Sequence, residues 1–482
     1  SAMRHATRAA LSPAATPHAV PALYSAGAAC FVTQLRPAQP HTSETMANTD
    51  ITSAGTLRVH PDNPRYFADA SGTPIWLTGS HTWATLQERR LPETPEFDYD
   101  AYLDWMVGLG HNFLRMWTWE HPTWMQFTPE RIRYYPTIYQ RTGPGEALDG
   151  EPKFDLTKFN DEWFARLRER VEKAGRQGIY VSVMFFQGFS LDKTGGKPDR
   201  NIAYRSHPYN AHNNVNGVDG SPDHPESGVQ VHTLQVPKVT ELQKTFIRKV
   251  VDTVGEFDHV LWEIANEAHG GSAQWQHHLI DFVHEYESAR PKQHPVGITG
   301  SPLALSDMMP SNADWVSPGS KDGYTWDAPA WDGAKVSVVD TDHTNPWDAF
   351  KDPTMPWKCL MRGHNFILMD PYRDARYGSP ELPLTEFDAI RAQMGLALRA
   401  SRWIGLATTT PHDELCSSGY CLAEPGRQYL AFVPEGPRTE FDLSDASGSL
   451  SVRWLNISTG EETDGGTVEG GAKRTLQVPF SG

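Results

Sequence analysis

The chain has 482 residues, with 43 Lys plus Arg against 59 Asp plus Glu and a formal net charge of −16. That balance argues against nucleic acid or an anionic membrane as the main partner, and no apolar run is long enough to predict a transmembrane helix. Four cysteines without C-x-x-C spacing rule out a disulfide scaffold and a cysteine zinc site, although Cys416 and Cys421 are close enough in sequence to bridge.

Residues 1–50 are rich in Ala, Pro, Ser and Thr, lack sustained periodicity and read as a disordered or extended tail. The apolar stretch near Ala26–Val32 is too short for a signal peptide, so a cytoplasmic location is the expectation. From about Leu57 short apolar β-rich runs alternate with amphipathic helices. Strands are predicted at Pro74–Ser80, His111–Trp117, Ile179–Phe185, His259–Ile264, Pro295–Thr299, Trp315–Ser317, Lys335–Val339 and Asn365–Met369. Helices are predicted at Asp98–Gly110, Asp161–Gly178, Glu241–Val254, Trp275–Glu287 and Glu386–Trp403.

Eight strands with intervening helices predict an α/β fold, a (β/α)8 TIM barrel over residues 57–406. Long insertions follow strands two and three, and in a barrel they would lie over the C-terminal face. After about Ala407, alternating runs at 429–432, 439–443, 449–454 and 474–478 predict a small antiparallel β-sandwich over 407–482. There is no G-x-G-x-x-G after a strand and no phosphate-binding Gly-rich loop, so no cofactor is expected.

The strongest chemical signal is Leu261-Trp-Glu-Ile-Ala-Asn-Glu267, which closes strand four. Glu263 should point into the barrel and Glu267 lie at its mouth, where an acid can reach a substrate; the competing reading is an Asn-Glu pair capping a helix. The segment Trp262–Glu267 resembles the Trp-x-x-x-Asn-Glu signature of retaining (β/α)8-barrel glycoside hydrolases. Together Pro74-Ile-Trp-Leu-Thr-Gly-Ser-His-Thr-Trp83 and Tyr420-Cys-Leu-Ala-Glu-Pro-Gly426 look like the apiosidase-like group, barrels followed by a sandwich of the collagen-binding type. The resemblance implies a glycosidase acting on an oligosaccharide or polysaccharide. It implies Glu267 as acid/base, Asn266 on the sugar 2-hydroxyl and Arg115 beside the nucleophile.

A second carboxylate should come from Val336-Ser-Val-Val-Asp-Thr-Asp-His343. Asp340 falls where the resemblance places a nucleophilic Glu, one methylene shorter; Asp342 could be the partner instead, bind substrate or orient His343. Sugar-binding candidates are His81, Trp83, Trp117, Trp119, Glu120, Gln187, Asn214, His269, His343 and Asp370, at strand ends or in the insertions. Each aromatic could equally pack in the core, and the Asn cluster at 213–216 could equally form a turn. Long loops suggest exo action. Two other readings stand: a non-catalytic carbohydrate-binding barrel, and a metal-dependent hydrolase or lyase using Asp340, Asp342 and His343. The first of them would fit an Asp where Glu is usual. No resident metal is expected, since no H-E-x-x-H occurs.

Overall fold

The computed structural model describes residues 27–34, 49–91, 95–125, 131–192, 202–345, 352–373 and 384–480. Eight parallel strands close into a barrel. In chain order they are Thr78–His81, Phe113–Met116, Tyr180–Gln187, Val260–Asn266, Val296–Thr299, Trp315–Ser317, Val336–Asp340 and Asn365–Met369, here called barrel strands one to eight. The last pairs with the first, Met369 opposite His81. Each coincides with a predicted strand, because a parallel strand covered on both faces reads as an apolar run.

The predicted helices are present as Tyr99–Gly108, Asp161–Arg176, Pro237–Val254, Ala273–Ser288 and Asp388–Ser401. Asp161–Arg176 shows why such a segment becomes a helix. Asn160 accepts from the Glu162 N–H at 3.2 Å, acids occupy the first turn and bases the last, and Trp163, Phe164, Leu167 and Val171 bury one face.

Both long insertions have structure of their own. The first carries a hairpin of strands Tyr139–Glu146 and Pro152–Phe159, which periodicity did not reveal. The second lies against it: the Phe154 N–H donates to the Asn213 carbonyl, and the Val215 N–H to the Phe154 carbonyl. Asn214 spends its amide on the carbonyls of Pro208, Asn210 and Val218. It is buried and shapes this loop, its amide committed there.

The expected tail is corrected in part. Ala28–Gln34 is a strand inside a six-stranded antiparallel sheet, between Gln428–Val433 and Ser449–Asn456. Its side chains alternate between two cores: Ala28, Cys30 and Val32 pack with Phe441, Leu450 and Trp454, while Ala29 packs with Trp357, Leu430 and Phe432. One face of the sheet thus covers the helices Met355–Met361 and Asp388–Ser401 of the barrel, and the other covers a two-stranded sheet, Arg438–Asp442 with Lys473–Gln477. A strand buried on both faces has no polar side, so alternation could not flag it. The remainder of the expected tail lies outside the described residues apart from Gly27, Thr49 and Asp50. All four cysteines are buried and unbridged, including Cys416 and Cys421.

Candidate active site

Barrel strands two, four and seven bring three charged side chains together at one level. Arg115 Nε donates to Glu263 Oε2 at 2.7 Å, its Nη2 to Glu263 Oε1, and its Nη1 to Asp340 Oδ2 at 2.7 Å. Thr299, at the end of strand five, donates to Glu263 Oε1 at 2.7 Å. All three charges are buried. Burial opposes the charge on Arg115, but Glu263 and then Asp340 outweigh it and hold the guanidinium above its ordinary value.

Asp340 is spoken for at both oxygens. Oδ2 takes Arg115; Oδ1 takes the Asp342 backbone N–H at 2.9 Å and His81 Nε2 at 3.1 Å. The His81 tautomer follows from its other side. Trp117 Nε1, which can only donate, reaches His81 Nδ1 at 2.9 Å, so the neutral ring carries its hydrogen on Nε2 and gives it to Asp340. Burial alone would raise the Asp340 carboxyl, but His81, His343 and Arg115 hold it well below the usual carboxylate range.

Above this anchored layer stand Glu267, Asp342 and His343. Their ligand atoms all lie within 4.8 Å of one another. His343 Nε2 is 3.7 Å from Glu267 Oε1 and 3.2 Å from Asn266 Oδ1. Burial keeps the His343 imidazole below its ordinary value, outweighing Asp340 and Glu267. Asn266 Oδ1 also accepts Arg115 Nη2 at 2.9 Å, and its Nδ2 donates to Gln187 Oε1 at 3.2 Å. Glu267 itself has φ of 44°, a left-handed conformation that a side-chain-bearing residue adopts only under constraint. The chain passes so close here that a Cβ on Gly188 would fall 2.0 Å from the Glu267 carbonyl oxygen. Glu267, Asp342 and His343 are also the set that could hold a divalent metal.

Other expected sugar contacts are placed differently. Trp117 stacks on His81 and on Trp119, and Trp119 Nε1 donates to the Trp83 carbonyl. With Tyr134, Met184 and Met369 these tryptophans form a buried wall beneath the mouth, Trp117 and Trp119 being only 1 % exposed. Asp370 is taken by Arg391 through two bonds of 2.7 and 2.6 Å and is fully buried, so it is a structural ion pair. His269 Nε2 contacts the Val229 carbonyl at 2.9 Å, and its Nδ1 accepts from the Gly271 N–H. Those bonds tie the strand-four loop to the second insertion.

Glu120 belongs to a second cluster. It accepts from His207 Nε2 at 3.3 Å, His232 Nε2 at 3.2 Å and the Gln187 N–H at 3.0 Å. Burial pushes its carboxyl up, but His232 and His207 more than reverse this and hold it below the usual range. Sequence reasoning missed His232, Thr299 and the ionic role of Glu263. Only the inward direction expected for Glu263 hinted at the last.

A family model for a domain of unknown function, DUF6298, matches residues 129–302. No curated protein matches the chain. Among solved structures, the chain is similar to a glycoside hydrolase family 5 protein from Bacteroides vulgatus at 12% identity and a TM-score of 0.59, over 91% of this chain and 93% of that one. It is also similar to a glycoside hydrolase family 5 mannosidase from Rhizomucor miehei at 15% identity and a TM-score of 0.47, over 73% of this chain and 99% of that one. At 12% identity and a TM-score of 0.59, the likeness to the Bacteroides vulgatus protein agrees with the closed eight-stranded barrel and shows the fold alone.

Proposed function

We propose that this protein is a retaining, exo-acting glycoside hydrolase of apiosidase-like type, with Glu267 as acid/base and its partner carboxylate in the Asp340-Thr-Asp342 run. The observation that carries this reading is the approach of Glu267 and Asp342 to within 4.8 Å. Retention needs carboxyl groups roughly 5–5.5 Å apart, and inversion needs roughly 6.5–9.5 Å. Of the two aspartates, Asp342 suits the nucleophile better. Asp340 is 1% exposed, whereas Asp342 is half-buried and stands beside Glu267.

In this mechanism an Asp342 oxygen attacks the anomeric carbon as the bond to the leaving oxygen breaks. Glu267 gives that oxygen its proton. Glu267 then takes a proton from water, the hydroxide displaces Asp342, and the free sugar leaves. Asp340 and Glu263 hold Arg115, and Asp340 fixes the backbone of Asp342. The second hydrogen of Asn266 Nδ2 is offered to a sugar hydroxyl. The two interlocked insertions over the barrel face favour recognition of a chain end.

The test is a screen of aryl glycosides and of plant and bacterial glycans, followed by variants on whatever is cleaved. Glu267→Gln and Asp342→Asn should each abolish turnover, and azide should rescue Asp342→Ala with formation of a glycosyl azide. Full activity in Glu267→Gln overturns the reading; rescue of Asp340→Ala instead moves the nucleophile to Asp340. One observation favours a second reading: Glu267, Asp342 and His343 also present a metal-ligand set. Activity that chelators remove and a divalent ion restores would select it.

A further inference from the structure

Glu120 has no part in the reaction above, yet it sits at the start of a hydrogen-bonded path that ends there. Its Oε2 accepts the backbone N–H of Gln187, the last residue of barrel strand three. Gln187 lies in register with Asn266 across strands three and four, and its Oε1 takes the Asn266 amide. Asn266 Oδ1 then meets Arg115 Nη2 and His343 Nε2. On its other side Glu120 is held by two imidazoles that belong to the second insertion. His207 Nδ1 accepts the Tyr209 N–H at 3.0 Å, so its Nε2 carries the hydrogen given to Glu120. His232 is stacked on Trp275 with ring centroids 4.5 Å apart, which fixes the direction of its Nε2.

We propose that Glu120 is a positioning residue that couples the seating of the second insertion to the placement of Asn266, through Gln187. Its three donors make a carboxylate the only fitting group. In a Gln side chain at this position one face would be an NH2, opposed to His207 Nε2–H or to the pair of N–H groups at Oε2. Removing the carboxylate therefore unseats the insertion and lets Gln187 turn away from Asn266. The proposal rests on the glycosidase reading for its kinetic readout only.

The experiment pairs kinetics with a probe that needs no substrate. Asn side-chain amides are labelled with 15N, and the Asn266 signal is assigned by its loss in Asn266→Ala. In Glu120→Gln that signal should shift. It should stay in place in Asn214→Ala, which removes bonds to Pro208, Asn210 and Val218 but leaves His207 and His232 seated on Glu120, and return toward its original position in Glu120→Asp. On a cleaved aryl glycoside, Glu120→Gln should lower kcat/KM about tenfold or more. The double variant Glu120→Gln with Gln187→Ala should be no worse than the poorer single variant, because both break one path. An unmoved Asn266 signal in folded Glu120→Gln overturns the proposal, as do additive kinetic losses. If no glycoside is cleaved, the glycosidase reading fails while the amide signal still decides this one.

Discussion

Two buried carboxylate clusters lie within one hydrogen-bonded network, and they are neutralised in opposite ways. At the mouth, one guanidinium serves two carboxylates, Glu263 and Asp340. In the insertion cluster, two imidazoles serve one carboxylate, Glu120. A guanidinium stays charged at every accessible pH and can serve two carboxylates at once, whereas each imidazole offers Glu120 a single ring nitrogen. The mouth is anchored by a permanent cation, and the insertion is attached by imidazole nitrogens set against a single carboxylate.

The largest effects should come from the mouth. Glu267→Gln and Asp342→Asn should each reduce turnover by about 10³-fold or more with the fold intact, as judged by circular dichroism and steady-state rates. Arg115→Met should cost about 3–5 kcal/mol in denaturant unfolding, because it strands two buried carboxylates without their cation. A loss well under 1 kcal/mol would show that the guanidinium does not balance them.

Acid should sharpen the contrast. Burial holds His111, His259 and His364 down to about 4 and His121 to about 3, against an ordinary value of 6.5. Their unfolded forms take up protons below pH 6.5 while the folded forms do not. Stability is therefore full above that pH and falls as the pH drops toward 4, by about 1.4 kcal/mol per unit for each histidine. Glu120 and Asp340, held below their ordinary values, add a further loss only below about pH 4.5. Unfolding midpoints at pH 7, 5.5 and 4.5 check this, and His259→Gln should flatten the slope. The smallest effect belongs to residues outside both clusters: Asn214→Ala should change kcat/KM by less than about threefold, since its bonds stay within its own loop.

The eight barrel strands were legible because each is a short apolar run between turn residues. Arg115, Asn266, Glu267, Asp340, Asp342 and His343 were picked out by their places at strand ends and, for Arg115, Asn266 and Asp340, by the resemblance, and the structure brings them together. What stayed hidden depends on partners far along the chain. Glu120 and His232 are 112 residues apart, and Arg115 and Glu263 are 148 apart. No local pattern marks such pairs. Asp370 looked free in sequence because Arg391, which saturates it, sits on the last barrel helix. The tryptophans at 117 and 119 looked like sugar platforms, but their neighbours Tyr134 and Met184 come from other segments and bury them.

The strand Ala28–Gln34 has a consequence for the order in which the molecule is made. Its partners begin at Gln428, opposite Thr33, a separation of 428 − 33 = 395 residues. At about 5–20 residues per second, a ribosome needs roughly 20–80 seconds to supply them. All eight barrel strands emerge before then, so the barrel can close while the early strand waits unpaired with both of its apolar faces exposed. The pairing of this early strand therefore waits for the far end of the chain, and the terminal sheet is completed last.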